Sequence, residues 1–233
     1  MVIHNCGKIK GPDGGTVTNI ASSSRTSIGS RLKRFGDVKE EPRRTVIHVP
    51  KQIHLTDAWV SIGEVPDAEY KMVYDRAIEL LSHLKYSVSD IKEFIITLSA
   101  FAKEQDFESK AGIFISALIN TSPRRRFSIQ LDNLPPLHRL GYMNTKSITI
   151  TGDVGILLGH SMAGGYLRVH GNAGNWLGYG MSKGKISVSG SISGLSDSIQ
   201  SGVIYQNGKK LWENHRIYGS DPNVILWQVQ RSV

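Results

Sequence analysis

Cysteine is almost missing from this sequence of 233 residues, in which Cys6 stands alone. An internal disulfide is therefore excluded, and the composition suits a reducing compartment. The eight histidines are scattered, and neither a Cys-x-x-Cys motif nor a His-x-x-x-His pair occurs. A zinc site needs such clustered ligands. We therefore expect no metal site and no cofactor.

Long apolar runs are missing as well. No stretch of about 18 apolar residues, the length that a membrane-spanning helix needs, occurs in the chain. The first residues also lack the apolar stretch of a secretion signal. The sequence therefore predicts a cytoplasmic protein with no membrane span.

Acidic residues are in deficit. The chain has 20 Asp and Glu against 28 Lys and Arg, which gives a net charge of +8. Such a balance attracts nucleic acid or acidic proteins. No RNA-binding motif of interleaved aromatic and basic residues accompanies the charge. A basic tail on a soluble protein is therefore the simpler interpretation.

Residues 1–45 concentrate glycine, serine, threonine and basic side chains and have little to bury. This composition predicts an arm that is flexible or ordered by a partner, for which an acidic protein or a nucleic acid would be suited. The arm is also rich in Arg and Ser, which leaves organellar targeting as an alternative. Its acidic residues argue against a targeting presequence.

Residues 46–122 predict an extended segment followed by a small helical subdomain. The β-branched residues before Pro50 favour extended chain over 46–65. Apolar residues at helical spacing then predict three helices at about 67–84, 90–103 and 108–119. We expect Met72, Val73 and Ala77 on the buried face of the first helix, and Ser89 to cap the second.

The remainder of the chain is dominated by a repeat of about nineteen residues. Segments 152–170 and 171–189 are identical at seven of nineteen positions. These positions are Gly152/Gly171, Gly155/Gly174, Leu158/Leu177, Gly159/Gly178, Met162/Met181, Gly165/Gly184 and Val169/Val188. A fixed period of this length indicates a solenoid, because each repeat is too small to bury a core alone.

Alternating apolar pairs follow the same period and predict one short strand for each turn. The pairs are Ile129/Leu131, Ile148/Ile150, Leu167/Val169, Ile186/Val188 and, one residue early, Ile204/Gln206. Met143 likewise lies nineteen residues before Met162. Stacked parallel strands would bury these side chains in continuous rows over about five turns. Glycine supplies positive φ at the corners of each turn, and Asp153 and Asn172 can also tolerate the left-handed region.

The pattern G-x-x-G-x-x-x-G-x-x-M-x-x-G-x-I/L-x-V-x-G resembles the glycine-repeat (GXGXG) domain of two enzyme families. One is the glutamate synthase large subunit, at its C-terminal end, and the other is formylmethanofuran dehydrogenase, in one of its several subunits. The resemblance covers about residues 127–207 and implies a right-handed β-helix. It also implies a scaffold that braces neighbouring domains or subunits and holds no catalytic group. Two glycines of the pattern are missing at residues 191–193.

Residues 159–163, Gly-His-Ser-Met-Ala, imitate the nucleophile elbow of a serine hydrolase. In this interpretation Ser161 would be the nucleophile, with His160 beside it as the base. An elbow needs a helix after the serine, whereas an alternating strand pattern follows here. Moreover, the position of Ser161 is occupied by Gly180 one repeat later. The repeat therefore explains this segment without catalysis.

Arg124, Arg125 and Arg126 separate the helices from the repeats and could bind phosphate or an acidic partner. Together these features predict an α+β protein: arm 1–45, helical region 46–122, β-helix 123–207 and C-terminal cap 208–233. The favoured function is a non-catalytic scaffold that binds a protein partner or a second copy of itself. The alternatives are a structural subunit of a redox or amidotransfer enzyme, a hydrolase using Ser161, and a nucleic-acid-binding protein.

Overall fold

A computed structural model describes residues 51–63, 69–218 and 225–227, with the backbone alone for 51–53 and 225–227. All of these residues lie in one compact unit. The predicted arm, residues 1–45, falls outside the described part of the chain.

Four α-helices come first in the described part of the chain, where three were predicted. They are α1 (Lys51–Ile62), α2 (Tyr70–Ser82), α3 (Val88–Thr97), which continues as a 3₁₀ turn over Leu98–Phe101, and α4 (Phe107–Thr121). The extended segment predicted over 46–65 is wrong over residues 51–62, which form α1. Leu55, Ala58 and Trp59 are buried at helical spacing, a signal that the short β-branched run before Pro50 obscured. Among the described residues, no helix has the length and apolarity to cross a membrane.

Two details of the helix predictions were also wrong. Met72 is 60% exposed, whereas its neighbour Val73 is buried together with Ala77, because one residue rotates the side chain about 100° around a helix. Ser87, not Ser89, caps α3: its hydroxyl accepts a hydrogen bond from the Asp90 amide. The Asp90 carboxylate in turn accepts one from the Ser87 amide at 2.7 Å, which completes a capping box.

Helix α4 is the central helix, and it is buried on all sides rather than on the one face predicted. Its Gly112 lies against the first solenoid turn, where a Cβ atom would come within 1.9 Å of the His138 carbonyl oxygen. Hydrogen bonds seal this contact, since the His138 amide donates to the Glu108 carbonyl (3.1 Å) and the Gly141 amide to Ser116 Oγ (2.9 Å). The helices therefore cover the first turn.

Residues 126–206 form the predicted β-solenoid. Five strands pair in parallel in the order β1 (Arg126–Gln130), β2 (Ser147–Thr151), β3 (Ala163–His170), β4 (Lys183–Val188) and β6 (Val203–Gln206). A short strand, β5 (Gly194–Ser196), lies between the last two in the chain. Because each parallel pair closes one turn, the stack comprises four turns, where about five were predicted.

The register of the central strands confirms the predicted rows. Ile148 pairs with Leu167, Leu167 with Ile186, and Ile186 with Ile204, and all four side chains are buried. The parallel row of Ile150, Val169 and Val188 is buried in the same way. These rows form the core of the solenoid.

The first turn departs from the nineteen-residue period. Phe127 and Ile129, not Ile129 and Leu131, pair with Ile148 and Ile150, at a separation of 21 residues. The loop that contains the Pro135–Pro136 dipeptide lengthens one side of this turn. The predicted pairing was thus shifted by two residues. Because side chains alternate along a strand, this shift keeps the same side chains inward but assigns them the wrong partners on β2.

Asp153 and Asn172 can tolerate a positive φ, but neither residue has one. Instead, the two side chains form a ladder between turns. Asp153 Oδ1 accepts a hydrogen bond from the Asn172 amide at 2.8 Å, and Asn172 Oδ1 accepts one from the Ser191 amide at 2.8 Å. Each ladder step ties one turn to the next.

The far end of the stack is closed by the predicted C-terminal cap. Strand β7 (Lys209–Glu213) pairs antiparallel with β6 and brings the buried Trp212 opposite Ile204. Strand β8 (Arg216–Ile217) pairs with β7, and β9 (Ile225–Trp227) pairs in parallel with β5.

Two adjacent glycines allow a matched test of the turn geometry. Gly165 has a φ of 73°, and a Cβ atom there would lie 2.1 Å from the Lys146 carbonyl oxygen, whereas nothing lies within 4 Å of a Cβ atom at Gly164. We expect Gly165→Ala to lower the free energy of unfolding by at least about 1 kcal/mol and Gly164→Ala to change it by less than about 0.5 kcal/mol. Urea denaturation measures both. Equal losses in the two variants would contradict the described packing.

Candidate functional site

The elbow-like segment lies in a tight turn that recurs in successive repeats. Backbone φ is positive at Leu157, Gly159 and Ser161, with values of 62°, 69° and 52°. The same alternation occurs one turn later at Trp176, Gly178 and Gly180 and one turn earlier at Arg139, Gly141 and Met143. The conformation of Ser161 is therefore a property of the repeat.

The same comparison corrects the predicted alignment of Met143 with Met162. Met143 shares its backbone conformation with Ser161 and is 44% exposed, whereas Met162 and Met181 are fully buried. The counterpart of Met162 in the first turn is therefore the buried Asn144.

The surroundings of Ser161 do not form a nucleophile elbow. Strand β3 begins two residues later, where an elbow would have a helix. In an elbow the amide of the following residue stabilises the oxyanion, but here the Met162 amide already donates to the Gly159 carbonyl at 3.1 Å. The Ser161 amide donates to the Tyr179 carbonyl of the next turn at 2.7 Å. These amides hold the solenoid together.

His160 lies in a cluster of aromatic rings where the helices meet the solenoid. Its ring centroid is 5.0 Å from those of Tyr70, Tyr142 and Tyr179, and only 4% of its surface is exposed. Tyr74 packs edge-on against Tyr142 at 5.0 Å. We call these five residues the junction cluster. It joins α2 to three successive solenoid turns.

The junction cluster keeps His160 neutral. Burial, together with the positive charge of Arg139, lowers the pKa of His160 to about 4, and its Nδ1 atom is buried without a hydrogen-bond partner. Burial also raises the pKa of Tyr142. A neutral imidazole of such low basicity is a poor proton acceptor. The arrangement suits packing better than general-base catalysis.

Polar contacts from α4 hold the junction cluster in place. The Asn120 side-chain amide donates to the Tyr74 hydroxyl at 2.9 Å and to the Tyr142 carbonyl at 3.0 Å. Arg139 donates to Ser109 Oγ at 3.0 Å, and its guanidinium lies 4.6 Å from the centre of the Tyr70 ring. The sequence did not reveal this cluster, because its members come from unrelated patterns in different elements.

The three consecutive arginines are all exposed at the junction between α4 and β1. Arg126 is the first residue of β1 and pairs with Ser147, so its side chain lies on the outward face of the solenoid sheet. Arg124 and Arg125 precede the strand. Of the three arginines in the predicted cationic patch, only Arg126 therefore lies on the outward face of the sheet.

The outward face of the solenoid sheet was not predicted from the sequence as a candidate site. Its alternate positions carry Tyr166, Arg168, Lys185 and Tyr205, so aromatic and basic residues do interleave on one surface. The signal was available, because the period that stacks Leu167 on Ile186 also brings Tyr166 beside Lys185.

The repeat glycines have structural positions. Five of them have positive φ, namely Gly152, Gly159, Gly165, Gly178 and Gly184. The other three, Gly155, Gly171 and Gly174, lie against neighbouring chain that a Cβ atom would meet within 3.0 Å. Within the described residues, no three His, Cys, Asp or Glu side chains are grouped so that they could hold a metal ion.

Comparisons with protein-family models, with curated proteins and with solved structures find no match to this chain. A functional proposal therefore rests on the contacts, burial and charges of this chain's own residues.

The low pKa of His160 gives a pH-dependent stability with a defined sign. The unfolded chain binds a proton at this histidine near pH 6.5, whereas the folded chain binds it only near pH 4. Stability from this group is therefore complete above about pH 6.5 and is lost as the pH falls toward 4. We expect His160→Phe to weaken this dependence in denaturation series at several pH values. Parallel pH profiles for the two proteins would contradict the buried, neutral state.

A second expectation concerns Ser161. Because its amide and its backbone conformation serve the repeat, Ser161→Ala should change the free energy of unfolding by less than about 0.5 kcal/mol. Hydrolysis of p-nitrophenyl acetate by the purified chain should also stay unchanged. Loss of an ester-hydrolysing activity on this substitution alone would restore Ser161 as a nucleophile.

Proposed function

We propose that this protein is a non-catalytic scaffold whose solenoid surface binds a partner macromolecule. One observation carries the proposal: the parallel stack is closed at both ends, by α4 on the first turn and β7 on the last. The apolar inward side chains of the first and last parallel strands are thereby buried and withdrawn from contact with other copies. The flat outward side of the sheet remains accessible.

The elbow-like segment 159–163 supports this proposal, because its residues make structural contacts instead of forming a catalytic site. His160 packs between tyrosines, and the Ser161 and Met162 amides pair with carbonyls of the solenoid. A catalytic serine requires a basic histidine and free oxyanion donors. The scaffold role requires neither.

The resemblance to glycine-repeat domains favours a narrower alternative, a structural subunit of a multi-subunit redox or amidotransfer enzyme. The four in-register turns support it, since such a domain braces its neighbours through a rigid stack. This alternative predicts a stable complex with an enzyme, which the broader proposal does not require.

The test is affinity capture of the full-length chain from a lysate of its native source, followed by mass spectrometry with and without nuclease treatment. Two double variants are compared with the parent chain. Arg168→Glu with Lys185→Glu, the sheet variant, reverses two exposed charges on the outward face. Lys85→Glu with Lys103→Glu, which we call the helical variant, makes the same change at exposed positions in the loops that connect the helices.

We expect the parent chain and the helical variant to retain the same partner and the sheet variant to lose it, because only the sheet variant alters the proposed surface. Copurification with an enzyme complex would select the narrower alternative. Equal retention by all three proteins, or a hydrolytic activity that Ser161→Ala abolishes, would contradict the proposed scaffold surface.

A further inference from the structure

The outward side of the solenoid sheet presents its side chains in straight columns. One column runs through Arg126, Ser147, Tyr166, Lys185 and Val203, and a second through Ser128, Thr149, Arg168, Ser187 and Tyr205. Adjacent strands are about 4.8 Å apart, so the five parallel strands span roughly 19 Å. This length could accommodate several nucleotides of an extended chain.

This face is electropositive. The five parallel strands contain no Asp or Glu, whereas they contain the exposed cations Arg126, Arg168, Lys183 and Lys185. The neighbouring acid on β7, Glu213, is paired with Lys210 at 2.7 Å. The charge of Glu213 is therefore balanced locally, and the cations of the parallel strands remain available to a polyanion.

Tyrosine rings lie among these cations. Lys185 Nζ is 4.2 Å from the centre of the Tyr205 ring and 5.3 Å from that of Tyr166. Arg168 lies 5.2 Å from the Tyr166 ring centre, and its Nε atom donates to the Tyr166 hydroxyl at 3.1 Å. Each ring is half-buried, so its orientation is held by its neighbours.

A single-stranded nucleic acid fits this combination best. Its phosphates pair with the cations, and its unpaired bases can stack on the tyrosine rings. A duplex keeps its bases stacked inside, so they cannot stack on the tyrosine rings. An acidic peptide or an anionic membrane would bind to the cations but would leave the rings without a role. The hydroxyls of Ser128, Thr149 and Ser187 in the second column can exchange hydrogen bonds with ribose 2′-hydroxyls, which only RNA carries.

We propose that the outward face of the solenoid sheet, centred on Tyr166, Arg168, Lys185 and Tyr205, binds single-stranded RNA. The inference rests on the proposed scaffold function and names the partner of its surface. The basic residues 1–45 add positive charge to the same chain, so the experiment must separate the face from charge elsewhere.

The test is fluorescence anisotropy of labelled oligouridine of about 12 nucleotides with the full-length protein. We expect Arg168→Glu with Lys185→Glu to weaken binding at least tenfold and to reduce the slope of log affinity against log salt by about 1.4, as for two lost phosphate contacts on a single strand. Lys85→Glu with Lys103→Glu carries the same change in net charge and should weaken binding less than about twofold.

The rings need a separate variant, because charge alone would attract any polyanion. Tyr166→Leu with Tyr205→Leu keeps apolar bulk but removes stacking. It should weaken oligouridine binding about tenfold while leaving the salt slope unchanged. Circular dichroism and thermal unfolding must match the parent chain for every variant compared.

Three outcomes would overturn the proposal. The first is equal weakening by the sheet and helical charge variants, and the second is no weakening by the tyrosine variant. The third is binding to an RNA duplex, to oligodeoxyuridine or to phosphatidylserine vesicles that is as tight as binding to oligouridine. Each would remove single-stranded RNA as the specific partner and leave the scaffold proposal standing. That proposal fails on different results, namely equal retention of a captured partner or a Ser161-dependent activity.

Discussion

The strands of this protein are too short to bury their inward side chains alone, so each depends on the hydrogen-bonded strand of the next turn. Leu167 is covered because Ile148 lies on one side and Ile186 on the other. The register that produces this cover also fixes every outward neighbour, since side chains alternate along a strand. Core and surface are thus specified together, and the proposed binding face follows from the packing of the interior.

A stack of this kind needs ends that differ from its middle. At the first turn, Gly112 lets the backbone of α4 approach the loop at His138 more closely than any larger residue would allow. At the last turn, the chain reverses and pairs antiparallel, which places Trp212 over Ile204. The junction cluster strengthens the first closure by binding α2 to turns beyond the one that α4 covers.

The middle of the solenoid could be predicted from the sequence because one fixed period controlled both glycine and apolar positions. The ends could not. The loop around Pro135 shifts the first strand by two residues. Helix α1 was not predicted, because the β-branched run before Pro50 favoured extended chain. His160 was noticed for the wrong reason, because its contacts with Tyr70 and Tyr142 join elements that share no sequence pattern. The outward columns could also have been predicted, because the same period aligns the residues on both faces of each strand.

The Asp153–Asn172–Ser191 ladder has a consequence for how this chain could change over time. Each step repeats the same contact at nineteen residues, and neither the helical closure nor the antiparallel one involves it. Duplication of one repeat in the gene would therefore add a turn of about 4.8 Å without altering either end. Loss of one would shorten the protein by the same increment. Variation in length is thus open to this architecture as a simple genetic step, and each step would add or remove one row of the outward surface.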